Sequence, residues 1–375
     1  MAKSAASLAT RVPWPAGRLA FQSLESKLAV FQDYDLALEI LLGDIGKSAS
    51  DRDSVKAALS GDLNQWIGRA RRYDPYRAFW LLEGLGRRYA RHAAEEPSGA
   101  LLLPHDIEDA SAYLPLHLGM GLYLAERFLG EASAAPRKQA DDPRPRPMPE
   151  PASRLEASFN DLRELCRAYS RPGYFEAAFE PLGMVARLLF PQTLNPLDRL
   201  LASEDPNLRA CFWHGVGRGL YFAPSLTLPW LAWQSRNLGR VYRPIAEDPR
   251  GRNLLAGLSK ALVLVNIRHP AVVADFLDRN HGWPCFKAAF SQGVATALVA
   301  WPLATESPEE ARRFIQHRPS DRALRQLWKE HVRQPAQRAV SELEPRIRRR
   351  DAPGELFRFH PLTDASRQRW FPSAN

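Results

Sequence analysis

The sequence contains little cysteine and no long apolar run, and each absence excludes a class of protein. Only three cysteines occur among 375 residues, and none has the C-x-x-C spacing of a zinc site. A disulfide framework is therefore excluded, and a reducing compartment is favoured. The most apolar segment, residues 261–267, is far too short to span a bilayer. We expect a soluble cytoplasmic protein with no membrane span, bound metal or other cofactor.

Lysine is also scarce, although the chain is basic. Lys and Arg together number 51 against 42 Asp and Glu, a net charge of +9, and only eight of the 51 are Lys. Acidic residues are interspersed with the arginines over most of the chain, which favours solvated helix faces and internal ion pairs over a nucleic-acid site. The densest basic run consists of Arg346, Arg348, Arg349 and Arg350.

The apolar pattern predicts helices throughout, because alternating β-branched runs with hairpin turns are scarce. Phe21, Leu24, Leu28 and Phe31 recur at spacings of three and four residues, which is typical of one helix face. Near-alternating prolines predict an exposed loop after the first repeats. The predicted segments are an N-terminal helical segment (1–65), first helical repeats (66–129), a Pro-rich linker or loop (130–153), further helical repeats (154–340) and a basic C-terminal tail (341–375).

An internal pattern, Gly-x-small-x-x-Leu, recurs along the chain. Its successive glycines are 35, 64, 32, 42 and 36 residues apart, and the long interval contains the Pro-rich segment. A period of about 35 to 40 residues matches a helix-turn-helix unit. The sequence therefore predicts an all-α fold built as an array of about six diverged helical-hairpin repeats. The six glycines are Gly84, Gly119, Gly183, Gly215, Gly257 and Gly293.

Two interpretations account for the repeated glycines. A glycine inside a helix costs about 1 kcal/mol relative to alanine, so a compensating interaction is required. Small residues allow two helices to approach closely, and their recurrence in every unit favours this packing interpretation. Alternatively, the missing side chains open a groove for a ligand along the stacked units.

Polar and aromatic residues beside these glycines are the candidate site residues. Glu83 and His214 form the candidate catalytic carboxylate–imidazole pair. Such buried groups either bond one another or face a pocket. No metal site is expected, because Cys211 and His214 supply only two ligands. The candidate ligand-binding residues are His117, Trp213, Tyr221 and Gln292.

Three glycine-containing segments resemble a bacterial family of unknown function that is often encoded beside enediyne and other polyketide biosynthesis genes. These segments are WLLEGLGRRYA (80–90), YLPLHLGMGLYLA (113–125) and ACFWHGVGRGLYF (210–222). The resemblance covers residues 75 to 300. It implies an accessory role in secondary metabolism, and it assigns no catalytic role to any residue.

Three function hypotheses follow from these patterns. The leading one is a helical-repeat accessory protein that binds an apolar biosynthetic intermediate or scaffolds a biosynthetic enzyme. The second is an enzyme that uses Glu83 and His214 for acid–base chemistry on a polyketide-derived substrate. The third is a nucleic-acid binder that works through arginine, which the mixed charge pattern disfavours.

Overall fold

The computed structural model describes residues 16–35, 37, 63–95, 106–133, 151–223, 248–282 and 286–360. All regular secondary structure in these ranges is helical, so the all-α prediction is confirmed. The helices are α1 (Ala16–Asp35), α2 (Leu63–Ala70), α3 (Pro75–Glu95), α4 (Tyr113–Ser133), α5 (Pro151–Tyr169), α6 (Phe175–Phe179), α7 (Pro181–Leu189), α8 (Leu194–Glu204), α9 (Pro206–Phe222), α10 (Pro249–Val265), α11 (Pro270–Asn280), α12 (Phe286–Thr305), α13 (Glu309–Gln316), α14 (Arg322–Trp328), α15 (Gln334–Arg338) and α16 (Glu344–Arg350).

The six helices that contain the repeated glycines pack side by side in chain order, each on the next: α3, α4, α7, α9, α10 and α12. The last of them, α12, also contacts α3 and α4, so the array closes on itself. At this closure Phe79 stacks on Trp301 with ring centroids 6.0 Å apart. The Tyr76 hydroxyl donates to the carbonyl oxygen of Val265 at 2.8 Å. The helices therefore enclose a common core, while the origin of the units as repeats stays a prediction.

The repeated glycines lie where neighbouring helix backbones touch. A Cβ at Gly217 would overlap the carbonyl oxygen of Leu254, and a Cβ at Gly257 would overlap that of His214. The packing interpretation is confirmed, because the neighbouring backbone fills the space that a ligand groove would need. Equivalent overlaps with backbone oxygens occur at Gly84, Gly86, Gly119, Gly121, Gly183, Gly215 and Gly293.

Local sequence fixes where the two central helices α9 and α10 begin. The Asp205 side chain accepts a hydrogen bond from the Asn207 amide at 2.7 Å, with a proline at the next position. Asp248 accepts in the same way from the amides of Arg250 and Gly251, again followed by proline. An Asp cap followed by Pro at the first helical position satisfies free amides and presets the backbone. These caps set the register of the site residues further along both helices.

The C-terminal part of the chain wraps across the array. Helices α14, α15 and α16 are joined by π-helical turns. A proline follows shortly after each turn, Pro335 and Pro345, and proline has no N–H to donate. Asp351 then ends α16 with φ +47°. The next segment, Pro353–Phe357, is a 3₁₀ helix that packs against α6, α9 and α12. This segment covers the buried end of the charge network described below.

Several predicted features fall wholly or partly outside the described ranges. They are residues 134–150 of the Pro-rich segment, most of the N-terminal segment and residues 361–375 of the basic tail. Residues 344–350 of that tail are helical. Within the described ranges, none of the helices has the length and hydropathy that crossing a bilayer requires.

Candidate functional site

A network of charged side chains is buried between α3, α9 and Glu180, the turn residue that joins α6 to α7. The guanidinium of Arg218 donates to Oε1 of Glu83 and, at 3.0 Å, to Oε2 of Glu180. Nδ1 of His214 lies 3.0 Å from Oε1 of Glu180. The side chain of Arg218 is 11% exposed and those of the two glutamates at most 3%. Because removing charges from water is costly, each member depends on its partners for compensation.

Arg218 forms hydrogen bonds with two carboxyl groups, and these two groups differ in how readily they take up a proton. Although burial opposes ionisation, the charge of Arg218, the hydrogen bond from His214 and the charge of Lys260 hold the pKa of Glu180 at about 2. Burial raises the pKa of Glu83, and Arg218 offsets this only in part because the charge of Glu180 acts in the opposite direction. Glu180 is therefore the ionised partner of Arg218, and Glu83 is the carboxyl that takes up a proton more readily.

The charge on Glu180 fixes the tautomer of His214. An ionised carboxylate only accepts hydrogen bonds, so Nδ1 of His214 carries the proton and donates. Burial lowers the pKa of His214, which keeps the ring neutral. Its Nε2 is consequently an acceptor, and it has no hydrogen-bond partner within the described ranges. The ring edge packs on Phe357, with centroids 6.0 Å apart.

Lys260 lies at the other end of the network, under the C-terminal segment. Its Nζ donates to the carbonyl oxygen of Leu356 at 3.1 Å and lies 3.7 Å from the centroid of the Phe357 ring. Burial lowers the pKa of Lys260 to about 7. The folded protein therefore loses the proton of Lys260 as the pH rises through about 7, whereas the unfolded chain keeps it to about pH 10.5, the ordinary pKa.

Replacing Lys260 with Met is expected to change how stability depends on pH. Between pH 7 and 9 the folded protein loses the proton at Lys260 while the unfolded wild type keeps it, so stability from this group rises with pH. The difference in free energy of unfolding, wild type minus Lys260→Met, should increase by about 1.4 kcal/mol per pH unit. Urea denaturation followed by circular dichroism at several pH values measures it.

The matched control is Lys329→Met, at an exposed position of the C-terminal helices. Its difference from wild type should stay constant over the same pH range. A constant difference for Lys260→Met as well would show that Lys260 is protonated in the folded protein.

A cavity of about 220 Å³ adjoins the Glu83 end of the network. Two of its lining residues each contain one buried atom without a hydrogen-bond partner in the described part of the chain, Oε2 in Glu83 and the hydroxyl in Tyr34. Both atoms are covered by neighbouring protein atoms and stay unpaired in the described ranges, which is uncommon for buried polar groups. The apolar lining includes Phe31, Trp80, Leu122, Val185, Leu188 and Phe222.

Arg87 also lines the cavity, and it is already paired. Its guanidinium donates to Oε2 of Glu126 at 2.8 and 3.1 Å and lies 3.9 Å from Oδ1 of Asp35. It also stacks over the Tyr34 ring, 5.6 Å from the centroid. Both cavity arginines, Arg87 and Arg218, are therefore matched by carboxylates.

The structure brings the predicted pair Glu83 and His214 into one network, but it joins them through Arg218 and Glu180. Glu83 lines the cavity and His214 does not. Direct proton transfer between the two is not supported by this geometry, because an arginine that stays protonated separates them.

The four predicted ligand-binding residues lie outside the lining of this cavity and have internal partners. The two ring nitrogens of His117 are 2.7 Å from the carbonyl oxygen of Tyr113 and 3.0 Å from the amide nitrogen of Arg171. The remaining contacts are Trp213 Nε1 to Asp198 at 2.6 Å, Asn266 Nδ2 to the Tyr221 hydroxyl at 2.6 Å, and Gln292 Nε2 to the carbonyl oxygen of Arg358 at 2.9 Å.

Sequence reasoning missed Tyr34, Glu180, Arg218 and Lys260. A signal for part of this set exists in the repeat. A basic residue stands three positions after the repeated glycine in three units, as Arg87, Arg218 and Lys260. Glu83 and His214 stand one position before it, so each lies four residues from a basic residue on the same helix face.

The described residues contain no group of three His, Cys, Asp or Glu side chains that could hold a metal ion. Cys211 is buried, and its Sγ donates to the carbonyl oxygen of Glu176 at 3.5 Å. Burial raises the pKa of the Cys211 thiol well above its ordinary value and that of Cys166 to about 12. Neither thiol is poised as a nucleophile, because the thiolate is the reactive form.

No protein-family model, curated protein or solved structure matches this chain. The resemblance to the family encoded beside polyketide biosynthesis genes therefore stays a prediction. The fold and the site define an all-α protein with a buried charge network that borders a cavity with mostly apolar walls.

Proposed function

We propose that this protein binds a small, neutral and largely apolar organic molecule in the cavity bordered by Tyr34 and Glu83. The observation that carries the proposal is a cavity of about 220 Å³ with aromatic and aliphatic walls, whose two arginines are already paired with carboxylates of the protein. Ligand sites commonly combine apolar walls with a few placed polar groups.

The cavity volume sets the size of the molecule. An engineered apolar cavity of about 150 Å³ in another protein binds benzene. The 220 Å³ found here accommodates a single substituted ring or a short branched chain. A larger molecule would place only one end in this cavity.

The charges around the cavity favour a neutral ligand. Arg87 pairs with Glu126, and Arg218 pairs with Glu180 and Glu83. An anionic ligand would have to displace one of these carboxylates, and a cationic one would face both arginines. A neutral molecule leaves all of these pairs intact.

The resemblance to proteins encoded beside polyketide biosynthesis genes suggests a biological role for the binding. It suggests that the bound molecule is an intermediate of secondary metabolism, or one end of it, and that the protein holds it for a biosynthetic enzyme. The basic run near the C-terminus gives little support to nucleic-acid binding, since Arg346 and Arg350 lie near Glu355, and Arg348 pairs with Glu344.

A second candidate function is acid–base catalysis by Glu83. It is favoured by one observation: a carboxyl whose pKa is raised by burial lines the cavity. Such groups are suited to exchanging protons near neutral pH.

Filling the cavity is expected to abolish binding. With toluene as the apolar probe, wild type should show saturable binding of one molecule per chain by ligand-observed NMR and a thermal midpoint that rises with toluene concentration. Val185→Phe places a ring into the cavity from α7, and it should lower the affinity at least about tenfold. Mass spectrometry of the native protein should also release a small organic compound.

Val340→Phe adds the same atoms at a position that is 38% exposed and is not part of the cavity lining, and it should leave binding unchanged. Equal binding by both variants, or no saturable binding by wild type, contradicts the proposal. If the released compound returns chemically altered after incubation with the protein, the enzyme hypothesis replaces it.

A further inference from the structure

The cavity beside Glu83 opens to the protein surface between α1 and α7. Leu189, the last residue of α7, lines the cavity and is 59% exposed. Asp35, the last residue of α1, also lines it, and its side chain is 64% exposed. Residues that border a cavity and also contact solvent mark an opening. A bound molecule can therefore extend beyond the enclosed space.

Each of the two helices presents an exposed leucine beside this opening. On α1, Leu28 is 55% exposed and lies three and seven residues before Phe31 and Asp35, so the three side chains share one side of the helix. Phe31 and Asp35 both line the cavity. Only one other large apolar side chain is exposed among the described residues, that of Val340. The exposed leucines therefore belong to the surroundings of the cavity, where apolar surface commonly binds a ligand.

Helix α1 is held beside the opening by contacts with α3 and α9. The guanidinium of Arg77 donates to both carboxylate oxygens of Asp33, the shorter distance being 2.7 Å. The Phe31 ring packs edge-on against Phe222, with centroids 5.3 Å apart. These contacts fix α1 while the space between it and α7 stays unfilled in the described part of the chain. The opening is therefore a feature of the packed fold.

The enclosed space is small compared with the apolar surface that leads out of it. A cavity of about 150 Å³ in another protein holds benzene, which has six carbon atoms. By proportion, the 220 Å³ found here holds about nine non-hydrogen atoms. A ligand that also covers Leu28 and Leu189 must be longer than this.

We infer that the ligand carries a long, unbranched alkyl or acyl chain, whose terminal end fills the cavity and whose remainder leaves between α1 and α7 along Leu28 and Leu189. This inference rests on the proposed function and names the chemical class of its ligand. The polar end of such a molecule lies in solvent beyond the leucines. Its apolar chain leaves the pairs of Arg87 and Arg218 with their carboxylates intact.

A single chain suits this surface better than a partner protein does. The exposed polar residues Glu25 and Gln32 lie next to Leu28 on α1, so the apolar surface there is narrow. A stable protein–protein interface buries about 1,200–2,000 Å² in total, which two leucines cannot supply. A narrow apolar strip that begins at a cavity matches the width of one hydrocarbon chain.

A series of straight-chain alcohols tests this inference on the unmodified protein. The probes 1-hexanol, 1-octanol and 1-decanol are neutral, and 1-octanol has about as many non-hydrogen atoms as the cavity holds. A fully buried methylene group raises affinity about fourfold, and one that lies on an open surface raises it about twofold. Wild type should therefore bind 1-decanol about fourfold more tightly than 1-octanol, measured by displacement of toluene in ligand-observed NMR.

Three variants locate the chain. The double variant Leu28→Gln with Leu189→Gln should bind 1-decanol and 1-octanol equally, because the added methylene groups then lie against amides. Val340→Gln changes the third exposed apolar side chain in the same way, and it should keep the fourfold difference. Val185→Phe should weaken the binding of all three alcohols, because the terminal end of each enters the cavity.

The outcomes separate this inference from the proposed function. If wild type gains nothing from 1-octanol to 1-decanol, the cavity binds ligands but the chain does not leave it, and the inference is wrong. It is also wrong if the double leucine variant keeps the difference, or if wild type is a dimer that this variant converts to a monomer in light scattering. If neither toluene nor any alcohol binds, the proposed function itself fails.

Discussion

Replacing Arg218 with Met is expected to lower the free energy of unfolding by about 3–5 kcal/mol, because it leaves two buried carboxyl groups without their cation. Arg218 contacts both Glu83 and Glu180 within the core of the array. Breaking a buried ion pair from one side costs more than the pair contributes, since the remaining charge keeps its desolvation penalty. Urea denaturation at pH 7 gives the value directly.

Second-site substitutions reveal which carboxyl depends on Arg218. Adding Glu180→Gln to Arg218→Met should recover more than half of the loss, because Glu180 is the ionised partner, with a pKa held at about 2. Adding Glu83→Gln should recover less, because Glu83 takes up a proton more readily. Equal recovery from the two substitutions would contradict the assignment of charge within the network.

An exposed ion pair provides the matched control for Arg218. Arg127 and Glu131 are four residues apart on α4, 2.9 Å between Nε and Oε1, with side chains that are 49% and 64% exposed. Arg127→Met should cost less than about 1 kcal/mol, as is usual for solvated pairs. A similar cost at Arg218 would mean that water reaches the buried network.

Adding one methyl group at Gly217 is expected to destabilise the protein by about 3 kcal/mol or more, although alanine is the better helix former. A Cβ at this position would overlap backbone atoms of Leu254 and Leu258 on the neighbouring helix. Backbone cannot move aside as a flexible side chain can, so α9 and α10 would have to separate along their whole contact. The free energy of unfolding of Gly217→Ala measures this cost.

The same substitution at Gly130 is expected to change stability in the opposite direction. It lies in α4, and a Cβ there would meet no atom within 4 Å. Gly130→Ala should therefore stabilise the protein by about 1 kcal/mol through helix propensity alone. If both variants shifted stability in the same direction, close backbone contact would not be what requires the glycine at position 217.

The spacing of residue types along the chain was sufficient to predict the helical fold and the close helix contacts at the glycines. The three- and four-residue spacing of apolar side chains predicted helices, and the recurrence of glycine predicted close helix packing before any neighbour was known. The predicted pair Glu83 and His214 does belong to one network, in which Arg218 and Glu180 join the two residues.

Four candidates, His117, Trp213, Tyr221 and Gln292, share this neighbourhood in sequence but bond to other internal groups in space. Sequence cannot reveal this, because a polar side chain close to one of the repeated glycines can turn toward either neighbouring helix. The link between Glu83 and His214 also needs Glu180, which lies in the turn between α6 and α7, 97 positions after Glu83.

The amino-acid sequence by itself determined that the described chain is helical and that glycines bring its helices together, since spacing along one helix decides which residues share a face. Only the tertiary structure decided which charges meet and where a cavity remains. Those outcomes depend on distances between Tyr34, Glu83, Glu180 and Arg218, which are distant in sequence and come together only when the helices close into one array.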